Sequence, residues 1–314
     1  MSVMVITILF TVCLLTVLQA SQAGDDIRQE RASRVKRIIG GESIDTGQWR
    51  WLVNVRGHVP TKYFWWWAVG YADVYCGGAI INRRWILTAA HCFFVAGVPE
   101  YGIAQPRNWY VKAGDKKLRF DFGQRLCAIW NRIKGTRNMR CWYLEVEKII
   151  KHARFSAHDN WRNDIALVKL ARDLPLGYDD TVDAVKLPVQ SSWPSPGANC
   201  SIQGWGCTQF GGSLEETANS LEVPALHGSQ CSQSGQPSIG PDRLCAGYRG
   251  GSRGLCKGDS GGPLVCRDDN GVWRQAGIAS FTSATSPGDV PGVFTRVSQY
   301  LNWINDTIAE NTPW

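Results

Sequence analysis

Beyond residue 18 the chain offers no run of the roughly 20 apolar residues that a membrane-spanning helix needs, and no hydrophobic tail suited to a lipid anchor. It has no internal repeat, no linker inside residues 38–314 and no Cys-x-x-Cys pair, and histidine is scarce at five residues. A zinc site is thereby disfavoured, and no metal or other cofactor is expected. Charge is modest too. The formal net charge of +7 drops to +5 once residues 1–37 are set aside, since five basic and three acidic residues leave with them. So mild and dispersed an excess argues against nucleic acid as a partner. What remains is ordinary globular material: 314 residues, 44% hydrophobic and 19% charged, enough for a substantial core and too apolar for wholesale disorder.

The chain opens on Val3–Leu18, apolar but for Thr7, Thr11, Cys13 and Thr16, followed by Gln19-Ala20-Ser21-Gln22-Ala23. Small residues at that spacing suit a signal peptidase, so residues 1–23 are expected to be a cleaved signal peptide ending at Ala23 or Ala20. The segment lacks the Lys or Arg usual ahead of such a run, and it is interrupted too often to read as a transmembrane anchor. A secreted, extracellular protein is predicted. Removing Cys13 leaves ten of the 11 cysteines, an even number that fits a disulfide framework. Residues 24–37, GDDIRQERASRVKR, are polar and lack any apolar period. They end in the basic site Arg34-Val35-Lys36-Arg37, directly before Ile38-Ile39-Gly40-Gly41, and read as a propeptide ahead of one domain over residues 38–314.

Short apolar, β-branched runs separated by Gly, Pro and Asn dominate that domain: Trp51–Val55, Trp85–Thr88, Ile165–Val168, Gly262–Val265 and Ala276–Ala279. They predict strands of an all-β protein. The one convincing helix is last, where Val297, Tyr300, Leu301, Ile304 and Ile308 recur at helical spacing. Three stretches carry chemistry. Thr88-Ala89-Ala90-His91-Cys92 sets a histidine after a strand, and Asn163-Asp164-Ile165-Ala166-Leu167 sets an acid at the mouth of another. Gly258-Asp259-Ser260-Gly261-Gly262-Pro263 surrounds a serine with glycines, which let a backbone amide approach a substrate carbonyl. A lone His or Asp at a strand end is more often structural, but a structural turn seldom needs that whole serine hexapeptide. The order His, Asp, Ser matches one known arrangement of a catalytic triad.

With these motifs the chain resembles the chymotrypsin-like (trypsin-fold) serine peptidases over essentially all of residues 38–314. The resemblance implies two antiparallel β-barrels packed face to face, with a C-terminal helix and the site in the cleft between the barrels. It implies that His91, Asp164 and Ser260 form the triad and that the amides of Gly258 and Ser260 form the oxyanion hole. It also implies a zymogen: cleavage after Arg37 frees the Ile38 ammonium to pair with Asp259, for which an ordinary turn is the plainer role. The expected function is that of a secreted serine endopeptidase acting on proteins or peptides, monomeric, switched on by another protease and open to protein inhibitors. A catalytically silent, peptidase-like binding protein is the alternative from another class, although all three triad residues and both oxyanion positions are kept.

Family spacing implies the disulfides Cys76–Cys92, Cys200–Cys266 and Cys231–Cys245. The family's frequent bridge from Cys256 to the far pocket wall lacks its partner, because Ser286 stands there. Cys207 is the replacement left over, and Cys127–Cys141 then closes within an insertion; free thiols are the alternative for the first of these. Residues 93–108 and 115–142 are insertions, the second replacing a calcium loop of which Asp115 survives. Tyr63-Phe64-Trp65-Trp66-Trp67 reads either as an exosite for a protein or membrane surface or as rings packed on those enlarged loops. Packing is preferred, since large exposed aromatic patches are uncommon on monomers.

At the base of the primary pocket Gly254 stands where trypsin-like relatives place an aspartate, which argues against a preference for Lys or Arg. Leu255 adds an apolar wall, Ser280-Phe281-Thr282 narrows the opposite one, and Gly292 is expected to keep the remaining side open. Small to medium aliphatic residues before the cut bond are predicted, with trypsin-like specificity as the alternative. Trp161 is expected to crowd the adjacent subsite. Lys257 stands at the rim, where it either favours acidic groups or is simply solvated. Asn199-Cys200-Ser201 and Asn305-Asp306-Thr307 fit the N-glycosylation pattern, with Asn305 the better placed on the expected helix.

Overall fold

A computed structural model of the chain describes residues 38–45, 47–64, 67–95, 98, 103–118, 143–190, 193–232, 239–251 and 253–312. The expected signal peptide and propeptide, Arg37, Trp65, Trp66 and the Cys127–Cys141 pair lie outside the described residues.

Among the described residues thirteen strands are formed: β1 (Glu42–Ser43), β2 (Leu52–Phe64), β3 (Trp67–Ile80), β4 (Trp85–Thr88), β5 (Trp109–Ala113), β6 (Tyr143–Lys151), β7 (Ala166–Leu170), β8 (Asn199–Gly204), β9 (Asn219–Leu226), β10 (Arg243–Ala246), β11 (Pro263–Arg267), β12 (Trp273–Phe281) and β13 (Gly292–Arg296). Every strand pairing is antiparallel. Strands β2, β3, β4, β7, β6 and β5 close a first barrel. The order β9-β10-β13-β12-β11-β8 closes a second through the β8–β9 pairing, with β1 added along β9. Two closed six-stranded barrels are what the resemblance implies.

The side-chain pattern explains the closure. Along β9 the alternation buries Leu221, Val223 and Ala225 and turns Glu222 out, as one inward face requires. Ala166, Leu167, Val168 and Leu170 are buried on both faces of β7 because it lies between β4 and β6, and Lys169 among them is buried with its ammonium on Glu147. Val53, Val55, Ile86, Trp109, Leu144 and Leu167 fill the first barrel; Ile202, Leu244, Leu264, Ala276 and Phe294 fill the second. Between them Ala79, Val185 and Val265 pack together under Trp49, Trp51 and Trp273. Part of the high tryptophan content is thus spent on cores and on the seam: Trp85, Trp109 and Trp205 are all buried as well.

Four disulfides are formed among the described residues: Cys76–Cys92, Cys200–Cys266, Cys207–Cys256 and Cys231–Cys245. The Cys200–Cys266 bridge closes a 66-residue separation, a length for which loop entropy stabilises the fold by about 4 kcal/mol. The last helix is shorter than its apolar period predicts. It spans Leu301–Glu310, after a 3-10 turn at Val297–Gln299 and the short helix α1 (Gly228–Ser232) earlier in the chain, and is here α2. Val297, Tyr300 and Ile304 seat it on the first-barrel core.

Strand β2 pairs with β5 only over Val53–Gly57, and beyond that point β2 and β3 pair with each other out to Phe64 and Trp67. The backbones of Tyr63, Phe64 and Trp67 therefore belong to the end of a long ribbon. The insertion after His91 is tied down, since Trp109 Nε1 donates to the carbonyl of buried Ile103 at 2.6 Å. Asp115 is engaged as well, by the buried Lys112 ammonium at 2.8 Å, which supplies the positive charge beside this carboxylate.

Candidate active site

Three loops from two barrels meet at the cleft. His91 sits in a 3-10 turn, Ala90–Phe93, immediately after β4, and the Cys76–Cys92 bridge fastens that turn to β3. Asp164 lies just before β7 and is fully buried. Its Oδ1 accepts the His91 amide at 2.8 Å, and its Oδ2 lies 2.7 Å from His91 Nδ1. Ser280 Oγ donates to the same Oδ2 at 2.5 Å, while Thr295 Oγ1 donates to the Asp164 carbonyl at 2.8 Å. The carboxylate is thus held by several donors, and the imidazole is oriented by both its ring and its backbone. Burial works against a charge on His91, but the Asp164 carboxylate and its hydrogen bond outweigh it and raise the imidazole pKa above its usual 6.5.

Ser260 belongs to the second barrel yet is docked on the first. Its carbonyl accepts the Gly77 amide of β3 at 2.7 Å. Gly261 has φ +75°, and a Cβ there would strike Thr88 Oγ1 and the Gly77 carbonyl. A Cβ on Gly77 would in turn strike Gly262. These glycines allow two backbones to touch, and that touch brings the serine loop to the histidine side of the cleft. Gly258, at φ +103°, leaves no room for a side chain against Leu214 and Gly206.

Asp259 points the other way, into the protein. Oδ1 accepts the Gly206 amide at 2.8 Å and Oδ2 accepts the Cys256 amide at 3.0 Å. Neither Gly204 nor Gly206 could carry a Cβ without colliding with this carboxylate. Burial pushes its pKa from 3.8 up to about 7, against the lowering effect of those two amides. Ile38 is fully buried in the second-barrel core with Leu255 and Phe294, and its backbone stands at φ +46°.

Ser260 opens on a cavity of about 460 Å³ lined by Leu255, Lys257, Ser280, Phe281 and Thr282. Gly254 and Gly292 do not line it. The Gly254 amide is instead taken by the Ile39 carbonyl at 3.1 Å, which makes the residue part of the seat for the 38–41 segment. The expectation that Gly292 leaves one side open is corrected: a Cβ there would collide with Leu255, whose buried side chain fills the room that this glycine leaves. Leu255 thus both lines the cavity and fills the space beside Gly292. Among its lining residues the sole acid is Asp259, whose oxygens are already hydrogen-bonded.

Sequence reasoning missed two walls of this cavity, one from Phe210, Gly211 and Gly212 and the other from Ser283, Ala284 and Pro287. The Gly-Gly pair shortly past Cys207 was the available signal for the first. On the second, Ser286 Oγ and Ser283 Oγ lie 3.1 Å apart, so hydroxyl contacts hold the segment where a Cys256 bridge was expected to be missing. Trp161 stands edge-on to His91 with ring centroids 5.5 Å apart, braced by Phe94 and Phe155. Lys257 is exposed at the rim. Far from the cleft, Asn199 on β8 and Asn305 on α2 are both exposed, although Cys200 beside Asn199 is fully buried.

A family profile described as Trypsin matches residues 38–121 and 131–304. The chain is 32% identical over 280 residues to human transmembrane protease serine 5, an alignment covering 88% of this chain and 52% of that protein. It spans about half the length of that relative. Among the described residues no helix is long and apolar enough to cross a membrane. With the two closed barrels and the hydrogen-bonded His91–Asp164 pair, this match shows that the chain belongs to the trypsin family of chymotrypsin-like serine peptidases.

Proposed function

We propose that the chain is a secreted serine endopeptidase, made as a zymogen and switched on by cleavage after Arg37. The observation that carries this reading is the hydrogen-bonded His91–Asp164 pair beside a cleft on which Ser260 opens. In the proposed reaction Ser260 Oγ attacks the scissile carbonyl carbon while His91 Nε2 takes its proton. Asp164 keeps the Nδ1 proton in place and stabilises the imidazolium. The amides of Gly258 and Ser260 donate to the oxyanion, and loss of one such donor costs about 100- to 1,000-fold in turnover. His91 returns the proton to the leaving amine, and water then resolves the acyl-enzyme by the same steps in reverse.

Residues 1–23 serve as the signal peptide, 24–37 as the propeptide and 38–314 as the peptidase domain. Support for activation comes from both ends of the device. Asp259 is buried with backbone donors and no cation among the described residues, a state that a newly freed Ile38 ammonium would relieve. Ile38 itself is a β-branched residue held at positive φ, and cutting the bond to Arg37 abolishes that torsion altogether.

Leu255 and Thr282 suit small to medium aliphatic residues (Ala, Val, Thr) before the cut bond. A substrate cation would find no free carboxylate in the cavity. Trp161 limits the next subsite to small residues. Asn305 and Asn199 are the proposed glycosylation sites, and protein substrates, an activating protease and protein inhibitors are the expected partners of a monomer.

The test is to cut the purified full chain after Arg37, treat it with a serine-directed phosphonate and profile it on a peptide library. Labelling of Ser260 only after the cut, absent in Ser260→Ala, with cleavage after Ala, Val or Thr, is the expected result. No label would sink the enzyme, and cleavage after Lys or Arg would sink the pocket assignment.

A further inference from the structure

The two amides that hold the Asp259 carboxylate come from two different segments. Gly206 belongs to the stretch that follows β8, and Cys256 to the loop that leads to the nucleophile. The Cys207–Cys256 disulfide joins those same segments, one residue past the first donor and at the second donor itself. A backbone bond reinforces it, the Cys207 amide donating to the Lys257 carbonyl at 3.0 Å. Gly258, the proposed oxyanion donor, is pressed against the first of these segments, with Gly206 Cα and the Trp205 carbonyl behind it. On one side the bridge packs against buried Ile39 of the activation segment, and on the other it lines the cavity beside Ser260. One covalent link thus touches the activation strand, the Asp259 cradle and the substrate pocket.

We propose that the Cys207–Cys256 disulfide is a positioning element for the oxyanion loop, holding the two Asp259 donors at a fixed separation so that the active arrangement of Gly258 and Ser260 depends less on the Ile38 ammonium. The proposal rests on the peptidase reading given above. Without the bridge, the inactive arrangement competes better, and activity is lost as soon as the ammonium begins to lose its proton. In a chain held only by the ammonium, the alkaline limb of kcat falls toward about pH 8, the ordinary range of a free α-amino group. With the bridge, the limb stands higher.

The test compares the cut wild-type enzyme with Cys207→Ala/Cys256→Ala and with Cys200→Ala/Cys266→Ala, whose bridge lies inside the second barrel. The first variant is expected to lose about tenfold in kcat, short of the ~100-fold or more that loss of an oxyanion donor itself brings. Its alkaline limb is expected to move down in pH, and amide hydrogen exchange across residues 254–262 to quicken. The second variant is expected to unfold more easily with its limb and its loop exchange unmoved. Graded reduction of the wild-type enzyme, with alkylated cysteines mapped at each step, gives the same comparison even where the first variant fails to fold: the rate of phosphonate labelling should fall in step with opening of Cys207–Cys256. An unmoved alkaline limb with unchanged loop exchange, or a labelling rate that is unchanged after this bridge has opened, would overturn the proposal. Loop exchange is read without activity, so a wild-type chain that takes no label but shows the quickened exchange on loss of the bridge sinks the peptidase reading and leaves the positioning role standing.

Discussion

If Asp259 is the uncompensated half of an activation pair, the precursor should lose stability as pH rises, and cleavage should cancel that loss. The folded, uncut chain holds the Asp259 proton to about pH 7, whereas the unfolded chain releases it near 3.8. A folded pKa above the unfolded one means that the contribution is full below about pH 4 and is lost as pH rises through about 7. At about 1.4 kcal/mol per pH unit, the interval corresponds to about 4 kcal/mol. Set against a total stability of about 5–15 kcal/mol, that is a large fraction. The measurement is urea unfolding at fixed pH values from 4 to 8 on three chains, each also carrying Ser260→Ala to prevent self-cleavage: uncut, uncut with Asp259→Asn, and cut after Arg37. The asparagine amide does not titrate, so every other carboxylate cancels in the difference between the uncut pair. The uncut chain that keeps Asp259 should lose about 4 kcal/mol relative to the uncut Asp259→Asn variant between pH 4 and pH 8. The cut chain should lose none of it, because the ammonium then bears the countercharge. Parallel pH curves for the two uncut chains would refute the buried, unpaired carboxylate, and a cut chain that follows the uncut one would refute the pairing with Ile38.

Two further outcomes follow from the cleft. The Asp164 carboxylate raises the His91 pKa, so the acid limb of kcat/KM should lie above pH 6.5, and Asp164→Asn should lower kcat by about 10,000-fold by removing the partner that fixes the Nδ1 proton; a limb at or below 6.5 would contradict the geometry. Leu255→Ala should deepen the pocket toward Gly292 and shift preference to larger residues before the cut bond, with each added buried methylene worth about 0.8 kcal/mol. An unchanged peptide-library profile would show that Leu255 does not bound the pocket.

Much of the site was legible because its chemistry is written in contiguous residues. His91 follows its strand, Asp164 precedes its own, and Ser260 is flanked by the glycines that let β3 approach it. The strands were legible for the same reason, since their short apolar runs are local patterns, whereas closure into two barrels was expected from the family resemblance alone. Ser280 was assigned to the pocket wall from its place in the chain, yet its hydroxyl also donates to Asp164, a contact across 116 residues that no local pattern carries. Phe210, Gly211 and Gly212 line the cavity only because the segment after Cys207 folds back beside Lys257.

The glycines show why specificity was harder to read than catalysis. In a sequence, glycine at a pocket position reads as open space, but in a packed interior that space goes to whichever neighbour reaches it. At Gly204 and Gly206 the occupant is the Asp259 carboxylate, and at Gly292 it is Leu255. Gly254 yields neither depth nor a counter-charge to the cavity, because it has no side chain and does not line it. Leu255 and Gly292 therefore share one volume, and neither residue can be read without the other. A side chain at Gly292 would displace Leu255, which already lines the cavity, whereas truncation of Leu255 would release the volume that Gly292 still leaves.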